Sequence, residues 1–130
     1  MKTWSAVAVA MTGMLQGSYA VAANTNDGNF ILEKCNTTLR VTDGKPLASG
    51  DDYMGIGQCL GLVEGVRNTL IYLNSYLERD LQICWPDQGI KNGQAVRILV
   101  KYLNDHPAQL NMDQTLLTMM AFKDAYPCKK

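Results

Sequence analysis

The stretch that most constrains this chain is Gly57 to Leu77. Placed on a helix at about 100° per residue, it has two distinct sides. Cys59, Val63, Val66, Leu70, Leu73 and Leu77 fall on one of them. Gly57, Gly61 and Gly65 fall on the other, with Asn68 and Tyr72 continuing their line. A stripe of this length at helical period points to an all-α fold. The glycines need a reason, because each costs roughly 1 kcal/mol relative to alanine inside a helix. Close approach by another helix or a second copy of the chain would supply it; a frayed or kinked helix start is the alternative.

The first 23 residues read as a cleavable leader. Lys2 precedes an apolar run from Trp4 to Leu15, and small residues follow at Ala20-Val21-Ala22-Ala23. A basic start, a short apolar core and an Ala-Xaa-Ala site are the marks of a secretory signal peptide. The run is too short to span a membrane. Residues 24–130 then form one small domain. Without Lys2 it carries 11 basic and 12 acidic residues, a formal charge of −1. That balance speaks against nucleic acid, and against an anionic membrane once the leader is gone.

The four cysteines read as two disulfides in an exported chain. No Cys-Xaa-Xaa-Cys pair is present and His106 is the only histidine, so a metal site is not expected. The rest of the chain divides at its turn signals. Asn24 to Asn29 is a polar leader, expected to be loose. A short first helix is expected from Phe30 to about Val41. Asp43-Gly44 and Pro46 make a loop, and Ser49 or Asp51 can cap the second helix. That helix runs to about Asp80. Cys84-Trp85-Pro86-Asp87 and Gly89 form a tied-down loop. Asn92 or Gly93 opens a third helix, which His106-Pro107 ends. Asp113 opens a fourth, from Gln114 to Tyr126 and apolar on most sides. The expected architecture is a disulfide-stapled bundle of about four helices in two hairpins.

The hairpins allow the cysteines to be paired. Cys35 lies about seven residues before the first hairpin's loop and Cys59 about eight after it, which puts them at one height at 1.5 Å per residue. Cys84 precedes the second hairpin and Cys128 follows it. The expected bridges are Cys35–Cys59 and Cys84–Cys128, each contributing roughly 3–4 kcal/mol on the loop-entropy argument.

Catalysis finds little support. His106 sits at a helix end, where it suits the helix carbonyls. Asp51, Asp52 and Asp87 look like cap and turn residues, and no phosphate-binding glycine loop is present. Trp85, in its braced loop, is either an exposed anchor for a partner or a plug for the end of the bundle.

The run Gly57-Gln58-Cys59-Leu60-Gly61-Leu62-Val63-Glu64-Gly65-Val66 resembles the Gly-Xaa-Cys-Xaa-Gly-Xaa-Xaa-Xaa-Gly-Val signature of the Rap/Tai immunity proteins of type VI secretion. The resemblance continues through Cys84-Trp85-Pro86, Gly89-Ile90, Gly93-Gln94-Ala95-Val96-Arg97, Val100-Lys101-Tyr102-Leu103, His106-Pro107 and Ala125-Tyr126-Pro127-Cys128. It departs at Trp85, where an aliphatic residue is usual, and at Lys91, where a threonine is. The resemblance implies a periplasmic helical protein, often dimeric, without turnover or cofactor. Its partner would be a peptidoglycan amidase effector, whose cleft it blocks with a loop. Two loops qualify as the blocking element, and the one between the third and fourth helices is the longer and more polar. Asp105, His106, Gln109 and Asn111 are therefore the candidate contact residues, with Trp85 as a flanking anchor and Gly57, Gly61 and Gly65 as a close-packing or dimer face. The other classes are a periplasmic helical chaperone with many unfolded clients, and a small hydrolase, which would need a second proton-transfer group beside His106.

Overall fold

The computed structural model describes residues 26–47 and 49–129; the leader read at 1–23 lies outside the described residues. Four α-helices make up the fold: α1 (Gly28–Thr42), α2 (Gly50–Leu73), α3 (Asn92–Asp105) and α4 (Gln114–Ala125). Two single 3-10 turns, Asn74–Tyr76 and Pro107–Gln109, follow α2 and α3. No strand occurs among the described residues, so the all-α reading stands.

Three of the four helices, α1, α2 and α4, start where a short acidic side chain takes up free backbone N–H groups, whereas α3 starts after Lys91 without a side-chain cap. The Asp27 carboxylate accepts from the Phe30 N–H at 3.0 Å. That of Asp113 accepts from Thr115 at 2.8 Å and Leu116 at 3.1 Å. At α2 the Ser49 N–H donates to the Asp52 carboxylate at 3.3 Å. Burial then follows helical period. α1 buries Gly28, Ile31, Cys35 and Thr38, and α2 buries Gly55, Cys59, Val63, Val66 and Leu70. These meet Val96, Leu99 and Leu103 of α3 and Leu117, Ala121 and Phe122 of α4 in one core. The buried hydroxyls of Thr38 and Thr118 donate to the carbonyls of Lys34 and Gln114, one turn back. Neither is therefore left as an unpaired buried donor.

The bridges are Cys35–Cys59, with Cα atoms 5.1 Å apart, and Cys84–Cys128, at 5.0 Å. This is the pairing that the heights in the two hairpins imply.

Three expectations need correction. First, α2 ends at Leu73 rather than running on to Asp80. The Asn74 side chain takes over there, accepting from the Ile83 N–H at 2.8 Å and donating to the Ile83 carbonyl at 2.9 Å. This pair bends the chain back and puts Leu73, placed on the core stripe by period, at the surface with 46% exposure. Second, no helix among the described residues packs on Gly57, Gly61 or Gly65: a Cβ at any of them would meet nothing within 4 Å. The glycine that close packing does require is Gly28. A Cβ there would lie 2.5 Å from Leu117 Cδ1 and 2.9 Å from the Leu110 carbonyl oxygen. Third, the end of the leader segment is not loose. The Gly28 N–H donates to the Met112 carbonyl at 3.1 Å, Asn29 N–H to Leu110 at 3.2 Å, and Gln114 N–H to Asn26 at 3.0 Å. Asp27 and Asp113 form an antiparallel bridge between the two segments.

Candidate functional site

The loop from His106 to Asp113 is built from both of its ends. At the α3 end the His106 N–H reaches the carbonyls of Tyr102 and Leu103 at 3.1 and 3.3 Å. Its Nδ1 lies 2.8 Å from the same Tyr102 oxygen. A carbonyl only accepts, so Nδ1 carries a proton, and in the neutral ring Nε2 is the acceptor. The imidazole stacks on the Tyr102 ring at 4.1 Å. His106 is thus a helix-end residue, as its position before Pro107 suggests.

Pro107 opens the 3-10 turn that carries Gln109 back under α3. The Tyr102 hydroxyl donates to Gln109 Oε1 at 3.0 Å. Burial first, and then the Asp124 carboxylate, push the Tyr102 phenol above its ordinary value of 10.0. It therefore stays protonated, as a donor must. Beyond the turn, the Asn29 side chain donates to the Leu110 carbonyl at 3.2 Å and to Asn111 Oδ1 at 3.4 Å. With the backbone bonds from Gly28 and Asn29, the loop is fixed against the first turn of α1.

What this base leaves at the surface is a short, stiff ridge. Asp105, Pro107, Ala108 and Asn111 are exposed, whereas His106 and Gln109 are half-buried. Asp105 also pairs with Lys101 one turn back along α3, and that contact raises the Lys101 pKa. Of the four candidate contacts in this loop, Asp105 and Asn111 face solvent, and His106 and Gln109 hold the ridge in shape.

Trp85 does not join them. It packs edge-on against Phe122 at 5.4 Å and tilted against Tyr126 at 5.8 Å. Half-buried, with its Nε1 out of solvent and unpartnered, it plugs the bundle rather than projecting from it. Its loop precedes α3, and the ridge follows it. The 14 residues of α3 set the two about 20 Å apart. Trp85 is therefore not a flanking anchor for the ridge. Its own loop turns at Gly89, whose φ of +66° suits glycine, and shows Asp87, Gln88 and Lys91 to solvent.

A third surface had only a weak sign in the sequence, the apolar character of α4 on most sides. Between α2 and α4 run two adjoining hollows of about 180 and 210 Å³ that share Leu70, Leu77 and Met119. Leu73, Leu81, Leu116 and Met119 are exposed along them. Tyr72 and Tyr76, outside the hollows, are each more than four-fifths exposed. Gly28, Asn29 and Tyr102 were also missed as parts of the ridge, because their roles depend on contacts distant in sequence.

The comparisons with known proteins fit this architecture. A family model described as Rap1a immunity proteins matches residues 27–128, from the cap of α1 to the last cysteine. No curated protein and no solved structure gives a match.

Proposed function

We infer the function from a premise that the match over 27–128 establishes: the chain belongs to the Rap1a immunity protein family. We propose that it neutralises a type VI secretion effector, a peptidoglycan amidase, in the periplasm of the producing cell. It acts by binding and occluding, without turnover. The observation that carries the mechanism is the ridge from Asp105 to Asn111, exposed at its crest and held from below by Tyr102 and Asn29. An inhibitor that fills a cleft must not lose its binding free energy in ordering its own loop, and a ridge already fixed avoids that cost. Loops on rigid scaffolds suit such a role. Asp105 and Asn111 offer acceptors and an amide donor to a polar cleft. Export through the leader at 1–23 agrees with the two disulfides. None of the described helices is long and apolar enough to cross a membrane.

A homodimer is also part of the proposal. The open glycine line at Gly57, Gly61 and Gly65, uncovered by any other helix among the described residues, leaves room for a second copy. The periplasmic chaperone reading has one observation in its favour, the exposed apolar hollows between α2 and α4. The two functions differ in selectivity. The mature protein, mixed with lysates that each contain one candidate amidase, should retain one enzyme and stop its cleavage of peptidoglycan. Suppression of aggregation of unrelated unfolded proteins, with no amidase inhibited, would establish the chaperone instead.

A further inference from the structure

The two disulfides lie in opposite surroundings. Cys35 and Cys59 are 0% exposed, in the middle of the core. Cys84 is exposed and Cys128 half-buried. Cys128 also lines a surface pocket of about 550 Å³ together with Arg79, Asp80, Lys123, Pro127 and Lys129. Three of those five neighbours are cations. Lys123 donates its ammonium to the Gln82 carbonyl, and Cys128 Sγ lies 3.5 Å from the same oxygen. One oxygen thus brings a positive charge and a cystine sulfur together.

We propose that Cys84–Cys128 is a thiol–disulfide exchange site, opened and resealed by a dithiol oxidoreductase, while Cys35–Cys59 remains closed. An incoming thiolate attacks the Cys84 sulfur and forms a mixed disulfide, and the electron pair of the broken bond leaves on Cys128. Exchange runs faster when the departing thiolate is stabilised, and nearby cations provide that. Lys123 is tied to the Cys128 sulfur through the Gln82 carbonyl, and Arg79 and Lys129 line the same pocket, outnumbering its one carboxylate, Asp80. The second thiol of the dithiol then attacks the mixed disulfide and releases Cys84. The protein gains two electrons and two protons, and the dithiol becomes a disulfide. Cys35–Cys59 cannot react in this way without unfolding, because no thiolate reaches it.

The opened form should keep its fold, because contacts other than the bridge also join the two segments. In the closed form Cys84 N–H donates to the Tyr126 carbonyl at 3.0 Å, and Ile83 bridges to Pro127. What is lost is the covalent tie between the base of the 84–91 loop and the tail after α4. The site does not depend on the inhibitory reading.

Dithiothreitol serves as the dithiol probe on the oxidised mature protein, with timed alkylation and peptide mapping. Cys84 and Cys128 should become labelled at least tenfold faster than Cys35 and Cys59, with the helical circular dichroism retained. Labelling of all four together, or of Cys35 and Cys59 first, would overturn the proposal. Glutathione, a monothiol probe, should leave its adduct on Cys84; an adduct confined to Cys128 would contradict the assigned direction. Lys123→Gln should slow opening severalfold and move its pH profile to higher pH, and Lys123→Arg should restore both. An unchanged rate and profile in Lys123→Gln would remove the cationic pocket from the account.

Discussion

The two ends of α3 are stiffened by different means. Before α3, the 84–91 segment is held by a covalent bridge and by Trp85 lodged against Phe122 and Tyr126. After α3, the ridge is held without a covalent tie, by hydrogen bonds from α1's first turn and from Tyr102 and by the stacking of His106 on the Tyr102 ring. The first arrangement resists deformation but uses its aromatic side chain internally. The second uses mainly backbone groups and leaves Asp105 and Asn111 to the outside. A recognition surface profits from the second, since most of the groups that make it rigid are not the groups a partner would touch; Asn111, which accepts from Asn29, is the exception.

The largest expected effect breaks the first end. Phe122→Ala removes a wholly buried ring from beneath Trp85 and should cost about 3–5 kcal/mol of stability, read by denaturant unfolding. The ridge should suffer only through this global loss. Amide exchange at Leu110 and Met112, corrected for stability, should be unchanged.

Gly28→Ala attacks the other end. The added Cβ meets Leu117 and the Leu110 carbonyl. The side chain can rotate away, but the backbone oxygen cannot. The substitution should cost about 1–3 kcal/mol, the range for overpacking. It should also speed amide exchange in 110–114 beyond what that loss explains. Equal exchange in both variants would mean that the two ends are not independently held.

Tyr102→Phe is finer, about 1 kcal/mol for one hydrogen bond. It also carries a pH signature. The phenol's pKa is raised in the fold above 10.0, by burial and then by Asp124. A raised pKa gives stability that is complete below the unfolded value and lost as pH rises through the folded one. Wild-type stability should therefore fall above pH 10 more steeply than that of Tyr102→Phe, as measured by melting temperature against pH.

The smallest effect concerns α2. At Gly61 a Cβ has open space, so Gly61→Ala should stabilise the monomer by roughly 0.5–1 kcal/mol through helix propensity. Light scattering on the same variant tests the dimer, whose mass should fall if a second copy packs on that line.

These residues also show what could be read from the chain. The helices were legible because the core stripes keep their period, as in Cys59, Val63, Val66 and Leu70. The bridges were legible because rise per residue sets equal heights in a hairpin. The ridge was recognised as a loop, but not what holds it. Backbone pairing between 26–29 and 110–114 carries no side-chain signature, and the polarity of Asn24 to Asn29 suggested a loose segment. The glycines were legible only in part, for a related reason. Spacing shows which face they share, but not whether anything covers it. Gly28, alone in a polar stretch, gave no sign of its contact. Trp85 was placed in the correct loop, but burial against Phe122 depends on α4, which lies nearly forty residues further on.

The measurement that bears most directly on the inhibitory account is calorimetric titration of the cognate amidase into wild type, Asp105→Ala/Asn111→Ala and Trp85→Ala. The ridge predicts at least a tenfold loss of affinity in the double variant, about 1.4 kcal/mol or more, with its melting temperature nearly unchanged. Trp85→Ala should lose stability while binding with close to wild-type affinity. Wild-type affinity in the double variant, with the loss appearing in Trp85→Ala, would contradict the account and place the inhibitory surface at the other end of α3.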